Sequence, residues 1–197
     1  RDLKADAAVL TRISKAVSKQ LDVQLKQLIA GRDWDAARAL LGEYADMLDG
    51  GWVQQGEQRI AGAEQTFRKQ IDNRYAALLD AVAKRRLDPA AANSAQQKLS
   101  ALEAAGADSS LLDQGRAAIG QAYLELAREA RAGKRWEVAR RYVQQGLKAQ
   151  PGEALLASLQ GETSEITRAE QSAQQQLAQA EREAQERERQ AKIQQFH

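Results

Sequence analysis

Cysteine is absent from the 197 residues, the one histidine is the terminal His197, and proline occurs only twice. Disulfides, Cys/His zinc sites, and Cys–His or Ser–His–Asp catalytic centres therefore have no parts to be built from. No run of about 18 apolar residues is present, so the sequence contains no membrane-spanning helix. Charge of neither sign dominates, with 29 Lys+Arg against 27 Asp+Glu. No Gly-rich phosphate loop and no polar cluster within an apolar tract points to a catalytic pocket, so the chain reads as non-catalytic and without a cofactor. It opens on Arg1 without an initiator Met or signal peptide and closes within a charged helix, as expected for one piece of a longer protein.

Apolar residues recur at spacings of three and four throughout, and neither strand alternation nor β-branched runs occur, so the fold class is all-α. A first helix is predicted over 3–30 with Leu10, Ile13, Val17, Leu21, Leu25 and Leu28 on one stripe. Asp33 then caps a second helix that turns Trp34, Ala37, Leu41, Tyr44 and Leu48 inward and stops at Gly50-Gly51. A long third helix runs from Trp52 to Lys84 with Ile60, Phe67, Ile71, Tyr75, Leu78 and Val82 buried. Asp88-Pro89, a capping carboxylate followed by a proline, predicts the start of a fourth helix that turns Ala92, Ala95, Leu99 and Leu102 inward and ends at Gly106. Ser109 or Ser110 opens a fifth, which buries Ile119, Tyr123, Leu126 and Ala130. The sixth carries Trp136, Ala139, Val143 and Leu147 and meets Pro151-Gly152.

Internal repetition organises these helices. Ala30-Gly31-Arg32-Asp33-Trp34-Asp35-Ala36-Ala37-Arg38 recurs 102 residues later as Ala132-Gly133-Lys134-Arg135-Trp136-Glu137-Val138-Ala139-Arg140. A degenerate middle copy places Tyr75 and Leu78 where Tyr123 and Leu126 stand, and Lys84-Arg85-Arg86-Leu87 near Lys134-Arg135-Trp136. Three hairpins follow, near 3–50, 52–106 and 109–151, within a repeat domain at 1–161. In the third, Tyr123, Leu126, Ala127 and Ala130 followed by Ala139, Val143, Gly146 and Pro151 resemble the tetratricopeptide pattern. The match covers about thirty residues well; the loop Gly falls one place early and the helices before the first two matched loops are longer than that repeat allows. The resemblance implies a right-handed array of stacked antiparallel helix hairpins. The succession Arg85-Arg86-Leu87-Asp88-Pro89-Ala90, Ala132-Gly133-Lys134-Arg135-Trp136 and Leu147-x-x-Gln150-Pro151-Gly152 also resembles helical regions of bacterial envelope proteins, where such regions are appended to signalling kinases or formylglycine-type domains. It implies a periplasmic or cell-envelope location, the alternative being cytoplasmic.

After Leu159 the composition changes. Residues 162–197 hold seven acids, five bases and many Gln, with Ile166, Ala169, Ala173, Leu177, Ala180, Ala184 and Ala191 as a near-heptad seam. An Ala-rich seam buries little area, so an extended charged helix held by pairs such as Glu183 with Arg187 and Glu188 with Lys192 is favoured over a weakly self-associating coiled coil.

Trp34 and Trp136, at equivalent places in the first turn after a loop, are assigned to sealing their helix pairs; Trp52 is a candidate surface contact. Residues 128–148 carry Arg128, Arg131, Lys134, Arg135, Arg140, Arg141 and Lys148 against Glu129 and Glu137, a local net charge of +5. No aromatic ladder or groove-reading motif accompanies these bases, which leaves an electrostatic nucleic-acid or membrane-surface binder as the less favoured alternative to a solvated outer face or an acidic partner. Asp33 and Asp35, with Glu43, Asp46 and Asp49 nearby, lack the loop glycine and distal bidentate acid of a calcium site, and capping explains them. The candidate partner-binding residues are thus Trp52, Arg128, Arg131, Lys134, Arg135, Arg140 and Arg141. The expected partner is another protein or another domain of the same protein, met by a scaffold module. The alternative is a stalk linking a membrane anchor to a sensory or catalytic domain.

Overall fold

The computed structural model describes residues 2–47 and 50–195, with side chains described at 12, 15–47 and 50–194. Leu48, Asp49 and His197, and the side chains of Leu10 and Ile13, lie outside the described set. The described residues form α1 (Asp2–Gly31), α2 (Trp34–Glu43), α3 (Gly50–Ala83), α4 (Ala95–Ala104), α5 (Ser109–Ala132), α6 (Trp136–Lys148) and α7 (Glu153–Gln195), with no strand among them. They fall into two compact units, 1–72 and 73–197, the division lying within α3.

In the first unit α1 packs on α2 through the face the periodicity marks. Leu21 and Leu25 are buried, Leu28 half-buried, and Val17 on the same stripe is exposed. Leu25, Ala37, Leu41 and Ile60 form the core, with Trp34 and Trp52 packed against it. Gly56 lets α3 approach that core, since a Cβ there would lie 2.6 Å from a Leu41 methyl. Asp33 caps α2 as expected, its carboxylate accepting from the Ala36 N–H at 3.1 Å. The C-terminus differs. Beyond Glu43 the chain tightens into i→i+3 bonds, from the Ala45 N–H to Gly42 O and from Met47 to Tyr44, so α2 ends before the glycine pair. Gly50-Gly51 instead begin α3.

Four helices end in one way: α4 does so on Gly106, at φ 82°, and the other three on a cation. Arg32, Arg85 and Lys134 take left-handed φ values of 62°, 54° and 56°. Each donates its N–H three residues back, and the following residue donates five residues back, to Leu28, Ala81 and Ala130 respectively. This pair of bonds satisfies carbonyls that a helix terminus otherwise leaves open. Glycine is the usual occupant of the left-handed place; here Gly31 and Gly133 stand one position early and a cation takes it, set against the negative end of the helix dipole.

In the second unit, Asp88-Pro89 does not start a helix. The Asp88 carboxylate accepts from the Ala90 N–H, two residues on, at 3.0 Å, which closes an Asx turn instead of capping a first helical turn. Residues 84–94 form an irregular segment in which Ala92 is exposed. Asn93 is left-handed at φ 59°, and α4 starts after Ser94, whose buried hydroxyl accepts from the Gln97 N–H. Helix α5 opens at Ser109 as expected, with Asp108 before it as the cap, accepting from the Leu111 N–H at 2.8 Å. Close approach is built in at Gly115, where a Cβ would meet Leu78 and Leu99 within 3 Å, and at Gly146, 2.8 Å from Leu159.

The core of this unit joins α5, α6 and α7 through Leu124, Ala127, Ala130, Ala139, Val143, Leu159 and Ile166, with Trp136 packed against it. Helix α7 is long and charged, as expected, and runs through Gly161 without a break. Its first part is structural: Leu159 and Ile166 are fully buried, and Glu162 is 4% exposed. Every side chain from 174 to 194 is exposed. Of the two expected pairs there, Lys192 meets Glu188 at 2.8 Å, whereas Arg187 donates to the Glu183 backbone carbonyl.

Candidate functional site

The basic cluster of residues 128–148 divides into cations that α7 engages and cations that it does not. Arg131 Nε donates to Glu162 at 2.6 Å and Arg128 lies 3.5 Å from the same carboxylate. Arg140 bonds Glu137 at 2.6 Å and also Glu170 of α7, which foremost raises its guanidinium pKa. Three of the six candidate cations are thus engaged with α7. Lys134 and Arg135 occupy the exposed turn after α5, where Arg135 adds to the field on Glu129. Trp52 lies in the first unit, half-buried against its core.

Arg141 is exposed and stands between a cleft that it shares with Glu137 and Arg140 and the clefts along Gln145. Together with Gln145 and Lys148 it forms an i, i+4, i+7 stripe of α6 that borders two adjoining clefts. The first, about 400 Å³, has Leu87, Tyr123, Leu126 and Tyr142 within it and Arg85, Asp88 and Arg141 among its polar groups. The second, about 490 Å³, lies between α4, α5 and the end of α6, bordered by Leu99, Ile119, Glu103, Arg116 and Lys148. Pro89 and Gln145 line both, so the two clefts adjoin across these residues in one grooved face.

The irregular 84–94 segment forms a wall of the groove; besides the Arg86–Asp80 pair and the bond from the Ala95 N–H to the Arg86 carbonyl, two contacts tie it to α5. The buried Tyr123 hydroxyl donates to the Leu87 carbonyl at 2.6 Å. Burial, with Asp88 and Tyr142 adding, pushes the Tyr123 pKa up. Arg85 meets Glu129 through two bonds of 2.8 and 2.5 Å. This pair holds the Glu129 carboxyl below the usual range and raises Arg85. The Tyr123 and Tyr142 rings lie 6.3 Å apart and tilted; Tyr123 is buried, so of the two it is the half-buried Tyr142 that offers ring surface to the cleft.

Neither Arg141 nor Lys148 has a carboxylate within ion-pair distance among the described residues. Arg141 was singled out from the sequence; Tyr142, Gln145 and Arg85 were not, because their convergence depends on the course of residues 84–94. No group of three potential metal ligands occurs among the described residues, and no helix there is long and apolar enough to cross a membrane. No family model, curated protein or solved structure matches the chain.

Proposed function

We propose that the chain is a non-catalytic protein-interaction module whose groove between residues 85–103, α5 and α6 receives a segment of another protein or of another domain. The observation that carries this reading is the pair of adjoining clefts, of mixed polar and apolar lining, with the half-buried Tyr142 in one and two cations, Arg141 and Lys148, that have no carboxylate partner among the described residues. Docking on such a surface draws on aromatic anchors and on peripheral charge for orientation. An electrostatic nucleic-acid or membrane surface is less favoured, because Arg128, Arg131 and Arg140 are engaged by Glu162 and Glu170.

The spacer reading is supported by one feature, the exposed stretch of α7 from 174 to 194, which extends about 30 Å at 1.5 Å per residue. It is compatible with a docking function elsewhere in the same chain.

Gln145→Trp tests the docking reading, because it fills the junction of the two clefts without changing charge. Partners recovered with the intact chain should be lost with this variant while its thermal unfolding stays unchanged. Undiminished recovery with a filled groove would reject the reading.

A further inference from the structure

Helix α7 docks on α5 and α6 through one face, and the pattern of that face continues beyond the docked stretch. Leu159, Glu162, Ile166, Glu170 and Ala173 lie on it, all buried or half-buried. Five turns further along stand Leu177, Ala180, Ala184, Glu188 and Ala191, each 18 residues after its counterpart and all exposed. We propose that this distal stretch of α7 is a second interaction surface, separate from the groove, which receives a basic amphipathic helix of a partner protein.

Helix α3 shows what such a continuation does. In the first unit Ile60 is buried against α1 and α2, and Glu64 bonds Arg38 at 2.5 Å. Helix α7 has the same arrangement in Ile166 and in Glu170, which bonds Arg140, the residue 102 places after Arg38. The α3 stripe runs on to Ile71 and Leu78, 11 and 18 residues after Ile60. Within the second unit Leu78 is fully buried, beside Leu99 of α4 and Gly115 of α5. Leu177 and Ala184 stand 11 and 18 residues after Ile166, at the corresponding places of α7. A face that helices cover on α3 is thus open on α7.

Charge selects the occupant. The two carboxylates on the docked face meet arginines, Glu162 with Arg128 and Arg131, and Glu170 with Arg140. On the distal stretch Glu181 and Glu188 follow Leu177 and Ala184 by one turn, as Glu170 follows Ile166. Taking Leu177, Ala184 and Ala191 as heptad a positions makes Glu181 and Glu188 e residues and Glu183 a g residue, the places that face each other across a helix pair. A second copy of the stretch would set acid against acid there, whereas a helix with arginines beside its apolar stripe pairs with them. Glu188 bonds Lys192 one turn on at 2.8 Å, an exposed pair of small worth that an incoming arginine displaces. The alanines at 180, 184 and 191 leave room for leucine-sized side chains from the partner.

Fluorescence anisotropy of the full chain with a labelled three-heptad peptide, Leu at a and d and Arg at e and g, tests the proposal. Its own arginines keep this probe from pairing with itself. It should bind about tenfold or more tighter than the same peptide with Glu in place of Arg. Leu177→Gln combined with Ala184→Gln should weaken binding about tenfold, and Glu181→Arg combined with Glu188→Arg should transfer the preference to the Glu peptide. All four side chains are exposed, and an unchanged circular dichroism melt confirms the fold. Equal binding of the two peptides, or a preference unmoved by the double reversal, would overturn the proposal. Gln145→Trp should leave probe binding unchanged; its loss in that variant would place the probe in the groove and overturn the proposal as well.

Discussion

Arg131 of α5 and Glu162 of α7 meet at 2.6 Å, in a contact where the carboxylate side is 4% exposed and the guanidinium reaches solvent. Arg128 approaches the same carboxylate from one turn earlier on α5. A charge-assisted bond of this kind contributes about 1.5–3 kcal/mol. The full penalty for breaking a buried pair does not apply, because both arginines keep access to water. Glu162→Gln should therefore destabilise the chain by about 1.5–3 kcal/mol in urea unfolding. An unchanged midpoint would show that α7 is held by apolar packing alone.

Truncation separates the two parts of α7. Removing residues 175–197 takes away only exposed side chains among those described and should leave the unfolding midpoint where it is, with a proportional loss of helical signal. Removing 162–197 should lower stability sharply, since it deletes the fully buried Ile166 and the Glu162 contacts. Ile166→Ala alone should cost about 2–5 kcal/mol. Equal midpoints for the two truncations would contradict this division.

Tyr123→Phe should cost about 1–3 kcal/mol by leaving the Leu87 carbonyl without its donor. The pH dependence has a definite sign. Burial raises the Tyr123 pKa in the folded state, so its contribution is complete below the ordinary tyrosine value, about 10. It is lost as pH rises through the higher folded value. Alkaline titration of stability should show a decline beginning above about pH 10 that is smaller in Tyr123→Phe; identical profiles would remove Tyr123 from the account.

The Arg85–Glu129 pair works at the opposite end of the pH scale. Its hydrogen bond depresses the Glu129 pKa, so the contribution is complete above the ordinary glutamate value, about 4.3. It disappears as pH falls through the lower folded value. Amides of residues 84–94 should then gain exchange relative to α5 in acid, and Glu129→Gln should show the same gain at neutral pH. An exchange pattern unaffected by Glu129→Gln would mean that the segment is held by its other contacts, those of Tyr123 with Leu87 and of Arg86 with Asp80 among them.

Helical periodicity made the inward faces legible: Leu21, Leu25, Leu41, Ile60, Leu78, Ile119 and Val143 stand where spacing puts them. Boundaries were less so. Asp88-Pro89 carries the same residue types as a helix start and as an Asx turn, and the true beginning of α4 is marked by Ser94, which accepts from the Gln97 N–H while the Gln97 side chain accepts from the Asn93 N–H. The basic run at 128–148 was legible as a cluster. Its division was not, because the neutralising carboxylates Glu162 and Glu170 lie about thirty residues downstream of Arg131 and Arg140. The groove depends on the irregular course of 84–94, which no periodic pattern encodes.

Amide hydrogen exchange of the intact chain, alone and with a partner recovered by it, is the most direct measurement. Occupation of the groove predicts protection at residues 85–89 and along 141–150, with residues 174–195 unchanged. Protection confined to 174–195 or to residues 2–47, with the groove exchanging as in the free chain, would contradict the assignment of the groove as the binding site.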